Sequence, residues 1–166
     1  INGNTRNGEE AVAAIMKYLE TYKNPDGGTY YRQAGHGIFT AAEVYDWCYD
    51  LLTDADKDYF IEAAIATTQN GIEVVWPPSL QSSVTSHGSE AQILRDLMSF
   101  AIATYNERPD IWNTVAGRLF SEYVPARKYV NQSHMFHQGS GYGSYRGQWD
   151  YNSAYMMSRL GMGIFT

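Results

Sequence analysis

The sequence predicts an all-α fold made of amphipathic helices in antiparallel pairs. Two observations point there first. Apolar residues recur at three- and four-residue spacing along the chain, and no segment shows the period-two alternation of a half-buried strand. Residues that start or stop helices also fall between the periodic segments.

Taken in order, "EEAVAAIMKYLETY" puts Val12, Ile15, Met16 and Leu19 on one stripe, and "NPDGG" ends it. "AAEVYDWCYDLL" aligns Ala41, Val44, Tyr45, Cys48 and Leu52. Thr53 is an N-cap followed by first-turn acids, opening a helix with Ile61, Ile65, Thr68, Ile72 and Val75 on one side and "WPPS" beyond it. "EAQILRDLMSFAIATY" aligns Ile93, Leu97, Phe100 and Ala101. Pro109 suits a first helical position, and Ile111, Val115, Leu119 and Tyr123 follow it in line. The final helix, "QWDYNSAYMMSRL", carries Trp149, Ser153, Met156, Met157 and Leu160.

Residues 1–166 read as a single helical domain or part of one. The segments 23–38, 76–87 and 131–145 are long and rich in Gly, Pro, Ser and Tyr, whereas the connections at 53 and 107–110 are tight. Long and short connections that alternate put the long ones at one end of a helical ring. Loops above about 12 residues in a compact domain are commonly functional. Among a bundle, a solenoid and an α/α toroid, this alternation favours an incomplete toroid.

Composition narrows the function. At 44% hydrophobic and 18% charged residues, the 166-residue chain can bury a core. No apolar run reaches the roughly 20 residues that span a bilayer, so no membrane partner is expected. The net charge of −6 argues against a sequence-independent nucleic-acid binder. The chain starts at Ile1 without a basic-plus-apolar leader, so any export signal is expected to be absent from it. Its single cysteine, Cys48, reads as a small buried hydrophobe. Fourteen tyrosines and four tryptophans suit sugar faces, and equally suit a tyrosine-rich helical core.

Two short motifs could carry chemistry. In "SHGSE", His87 and Glu90 stand three apart at a helix start, and their face continues through Leu94, Leu97 and Ala101. Glu90 thus sits at the mouth of an apolar face; the simpler alternative is a first-turn acid with Ser86 as N-cap. A metal reading of His-x-x-Glu has no third or fourth ligand at suitable spacing. In "GSGYGSYR", glycines flank Tyr142, permitting positive φ and close approach of a ligand. Tyr142 and Arg146 are four apart where the last helix begins, so one turn brings phenol and guanidinium together. A neighbouring cation favours phenolate, which equips a phenol for general acid and base work. The alternative is a tyrosine-rich turn covering the final helix. His134, His137, His36 and Arg32 are weaker candidates, with Arg32 and His137 placed to meet an anionic group.

"SHGSE" followed about fifty residues later by "GSGYGSYR" resembles the heparinase II type of polysaccharide lyase, within the heparinase II/III-like family. The resemblance implies an N-terminal α/α toroid followed by β-sandwich domains of the same parent protein, so the chain is expected to be a fragment. It implies cleavage of heparin and heparan sulfate by β-elimination. Tyr142 resembles the family's catalytic tyrosine, Arg146 the arginine beside it, and His87 and Glu90 its active-site histidine and glutamate. No cofactor is expected within this chain; a structural zinc is implied only for the absent β domain. The partner is an acidic polysaccharide, and the expected location is periplasmic or secreted, in a bacterium. Elimination at a uronate must neutralise its carboxylate, remove the C5 proton and protonate the leaving O4. A protonated Glu90 could hydrogen-bond that carboxylate without adding charge. Arg32, Arg146, Arg127 and Lys128 are the expected local cations. Against this stand a glycoside hydrolase on a similar toroid, needing two carboxylates about 5–10 Å apart, with Asp46, Asp50, Glu90 and Asp150 available, and a noncatalytic carbohydrate-binding helical scaffold.

Overall fold

A computed structural model describes residues 4–22, 31–71, 92–133, 136 and 139–164, with the side chains of 31–33, 68–71 and 92–93 excepted. The described chain is all-helical. α1 spans Thr5–Thr21, α2 Tyr31–Trp47 and α3 Asp54–Gly71. A π-helical segment, Gln92–Leu97, runs into α4, Met98–Ala103. α5, Pro109–Arg118, continues through a second π-helical segment, Leu119–Tyr123, into α6, Val124–Val130, and α7 spans Ser140–Arg159.

Local chemistry explains the helix starts. The Asn4 side chain accepts from the Arg6 amide at 3.1 Å and caps α1. Thr53 and Asp56 form a reciprocal cap on α3: the Asp56 amide donates to the Thr53 hydroxyl at 3.2 Å, and the Thr53 amide donates to the Asp56 carboxylate at 3.0 Å. Pro109 opens α5.

Most of the expected stripe residues are buried where they are described, while Val12, Met16, Val44 and Met156 are partly buried and pack against the core. Ile15, Leu19, Ala41, Tyr45, Leu52, Ile61, Ile65, Leu97, Phe100, Ala101, Ile111, Val115, Leu119, Tyr123, Trp149 and Met157 all belong to one core. Cys48 is buried, its thiol 3.8 Å from the Gly8 carbonyl. Leu160 departs from expectation: it follows the last turn of α7 and is exposed. Thr68 and Ile93 have undescribed side chains, and Ile72 and Val75 lie outside the described residues.

Two segments expected to be loops are partly helical. α2 begins at Tyr31, so 31–38 is helix despite Gly35 and Gly37. Glycine in a helix interior costs about 1 kcal/mol. Here Ala34, Ile38, Ala41, Ala42 and Tyr45 carry the buried stripe straight through the glycines. At Gly37 the α1 ring of Tyr18 lies where a Cβ would stand. Likewise α7 begins at Ser140 rather than near 146. Gly139, at φ 83°, makes the turn into it, while Gly143 and Gly147 face the Phe136 side chain with room for an ordinary contact.

Three helices lie side by side and run in the same direction. Arg95 stacks over Phe39 (5.4 Å), while Asp46 and Tyr49 share a cleft with Ile102 and Ala103. This sets α2 parallel to the 92–103 helix. Ser153 meets Leu94 and Ser99 meets Met156, which sets α7 parallel to the same helix on its other side. α1 runs antiparallel to α2, since Gly8 meets Cys48 and Tyr18 meets Gly37. The N-terminal ends of α2, the 92–103 helix and α7 therefore share one end of the molecule. The short connections share the other, where the Tyr49 hydroxyl donates to Glu107 at 2.6 Å.

Ser153 is fully buried and donates to the Leu94 carbonyl at 2.6 Å, within the π-helical segment. Ser153→Ala should cost about 1–2 kcal/mol, because it leaves a buried acceptor without this donor. Urea unfolding should show a lower midpoint at unchanged m-value.

Candidate functional site

α7 builds the site. Arg146, Trp149, Ser153 and Met157 form its buried face, because residues three, four and seven apart fall on one side of a helix. Tyr142 stands four residues before Arg146 and so on that same inward side. It lies in the first turn, beyond most of the packing, and stays 42% exposed while Arg146 is 3% exposed.

The guanidinium carbon of Arg146 lies 3.9 Å from the centroid of the Tyr142 ring. The expected approach of phenol and guanidinium across one helical turn is therefore present. Its geometry differs from a simple end-on pair: the planar cation stacks on the ring face, a contact in which cation and π-system attract. Such stacking restricts the phenol's orientation while leaving its edge accessible. Beside it, Tyr145 packs edge-on against Trp149 at 5.7 Å.

Below this pair the layer holds buried charge. Arg127, on α6, is 2% exposed and donates from Nε to both carboxylate oxygens of Asp150 at 3.0 Å. Tyr142, Arg146 and Asp150 are thus successive four-residue steps along α7, the last pinned to α6. Asp96, 1% exposed, accepts from Arg95 at 2.6 Å in the π-helical segment. Burial raises the carboxyl pKa of both Asp150 and Asp96. Arg127 opposes that rise at Asp150, and Arg95 and His36 oppose it at Asp96.

These details correct two expectations. Arg127 is not a cation offered to a ligand, because its guanidinium is committed to Asp150. The glycines around Tyr142 do not form a left-handed cradle; only Gly139 has positive φ there, and Gly141 and Gly143 are helical. His87, Glu90, His137 and His134 lie outside the described residues. Arg32 belongs to α2, with its side chain undescribed; His36, one turn further, is exposed. Among the described residues, no three His, Cys, Asp or Glu side chains converge as a metal-ligand set.

The buried ion pairs escaped the sequence reading, although a signal existed. Arg127 continues the series Ile111, Val115, Leu119, Tyr123 at four-residue spacing, and Asp96 stands four before Phe100. A charged residue in phase with a core stripe is a candidate for a paired interior charge.

Asp150→Ala should destabilise the fold by about 3 kcal/mol, since it strands a buried guanidinium. The double replacement Arg127→Met with Asp150→Leu should recover most of that loss in denaturant unfolding. A second expectation concerns pH. Asp96 has a raised folded-state pKa, so its stabilising contribution is complete below the unfolded value of about 3.9 and is lost as pH rises through the folded value. Over that window, Asp96→Asn should lose less stability with rising pH than the parent protein.

Searches against protein-family models and curated proteins find no match to this chain. What the Tyr142–Arg146 pair can do is set by its own surroundings.

Proposed function

We propose that this chain is part of a polysaccharide lyase that cleaves uronic-acid-containing glycosaminoglycans of the heparin and heparan sulfate kind by β-elimination. Tyr142 is its general acid and, for one uronate epimer, also its base. The observation that carries this reading is the stacked pair itself: a half-exposed phenol on the inward side of a helix tip, with a buried guanidinium 3.9 Å from its ring centre.

In the reaction, the C5–H bond breaks and its proton passes to a base. The released electron pair forms the C4=C5 double bond, the C4–O4 bond breaks, and O4 takes a proton from an acid. A phenol on a fixed helix can give or take a proton at these sites, and positioned proton transfer is worth roughly 10²–10⁴-fold in rate. Arg146 holds the ring and contributes positive charge near an anionic substrate. His87 and Glu90 complete the site by resemblance, Glu90 hydrogen-bonding the substrate carboxylate and His87 orienting a partner.

The parallel layer of α2, the 92–103 helix and α7, with an antiparallel neighbour beside it, supports an incomplete α/α toroid. On this reading the chain is one portion of a larger periplasmic or secreted enzyme whose β-sandwich domains lie elsewhere in the parent. The hydrolase alternative gains little support, because Asp150 is tied to Arg127 and Asp46 lines a cleft at the other end.

The test is Tyr142→Phe in the intact parent protein, assayed on heparan sulfate by the ultraviolet absorbance of the C4–C5 unsaturated product. Turnover should fall by roughly 10²–10⁴-fold, with substrate binding retained. Undiminished turnover in the variant, or a product without the double bond, would remove the assignment.

A further inference from the structure

The cleft at the short-connection end has a chemistry unrelated to Tyr142. It encloses about 580 Å³ and is lined by Tyr49, Tyr105, Trp112 and Met162 with Asp46 and Asn106 among its polar groups. That volume and mix of aromatic and sparse polar lining suit a small-molecule site. The Tyr105 and Trp112 rings stand at 89° with centroids 6.2 Å apart. Perpendicular rings at this separation accommodate a point roughly 4.5 Å from both ring centres, inside the ~6 Å range of cation–π attraction.

Charge favours the same ligand class. Among the described lining residues, Asp46 is the one acidic side chain and none is Lys or Arg. Behind the wall, Glu107 accepts the Tyr49 hydroxyl proton at 2.6 Å through Oε1. The buried Tyr45 hydroxyl faces the same carboxylate, and its pKa is raised by burial and by Glu107. A phenol that donates to a carboxylate has an electron-richer ring. An ammonium already exploits that ring: Lys57 Nζ lies 3.6 Å from the Tyr49 centroid. With that position taken, Tyr105 and Trp112 are the rings left for a ligand. A flat sugar would prefer a single platform, whereas a corner of two perpendicular rings suits a compact, roughly spherical cation.

We propose that this cleft binds a small organic cation of the quaternary or methylated ammonium class, with Trp112 and Tyr105 supplying the π-faces and Asp46 the counter-charge. The proposal is independent of the lyase reading, since no residue is shared.

Isothermal titration calorimetry of the chain with choline tests it, against the neutral isostere in which a quaternary carbon replaces the nitrogen. Choline should bind saturably with a Kd on the order of 1 mM or tighter, and the isostere about tenfold more weakly. Asp46→Asn and Trp112→Leu should each weaken choline by roughly 3- to 30-fold. Tyr105→Leu provides a second aromatic variant at an exposed position, should Trp112→Leu fail to fold. Equal affinity for choline and its isostere would overturn the proposal. So would no saturation with choline, or binding of choline unaffected by Asp46→Asn and Tyr105→Leu.

Discussion

Side-by-side packing of three helices that run the same way is the constraint on which the remaining structure depends. Ser153 against Leu94 and Ser99 against Met156 fix α7 to the 92–103 helix, and Arg95 over Phe39 fixes that helix to α2. Once α7 is held in this rotation, Arg146 must point inward and Tyr142 must share its side. A helix turned by a quarter would bury Tyr145 and release Arg146. The ion pair between Arg127 and Asp150 acts in the same sense, because it ties the middle of α7 to α6. Buried pairs of this kind add modestly to stability yet penalise every arrangement that separates them.

Most of the fold was legible in the residues, and the reason is periodicity. Ile111, Val115, Leu119 and Tyr123 recur at four-residue spacing and are all buried; Thr53 followed by Asp56 announces a cap and makes one. Glycine misled at two places. Gly35 and Gly37, and later Gly141 and Gly143, fall in segments expected to be loops because propensity disfavours glycine in helices. Packing overrides propensity at Gly37, where Tyr18 occupies the space a side chain would need.

The site was legible in a narrower sense. The four-residue spacing of Tyr142 and Arg146 gave their contact, because a helix brings such neighbours together whatever else the fold does. Stacking of the guanidinium on the ring, rather than against the hydroxyl, was not written in that spacing; it accompanies the burial of Arg146 on the inward side of α7. The commitment of Arg127 to Asp150 was equally hidden, since it joins residues 23 positions apart.

Helices aligned in one direction also align their peptide dipoles. A helix start carries about half an elementary positive charge from its unpaired amides, and the first turn of α7, entered at Gly139, holds Tyr142 beside such a start. A chain of net charge −6 can in this way keep a locally positive potential without a cluster of lysines. At the opposite end α1, α3 and α5 begin where α2 and the 92–103 helix finish, so opposed poles offset one another there. Antiparallel pairing therefore keeps the field of each helix end local to its own first or last turn.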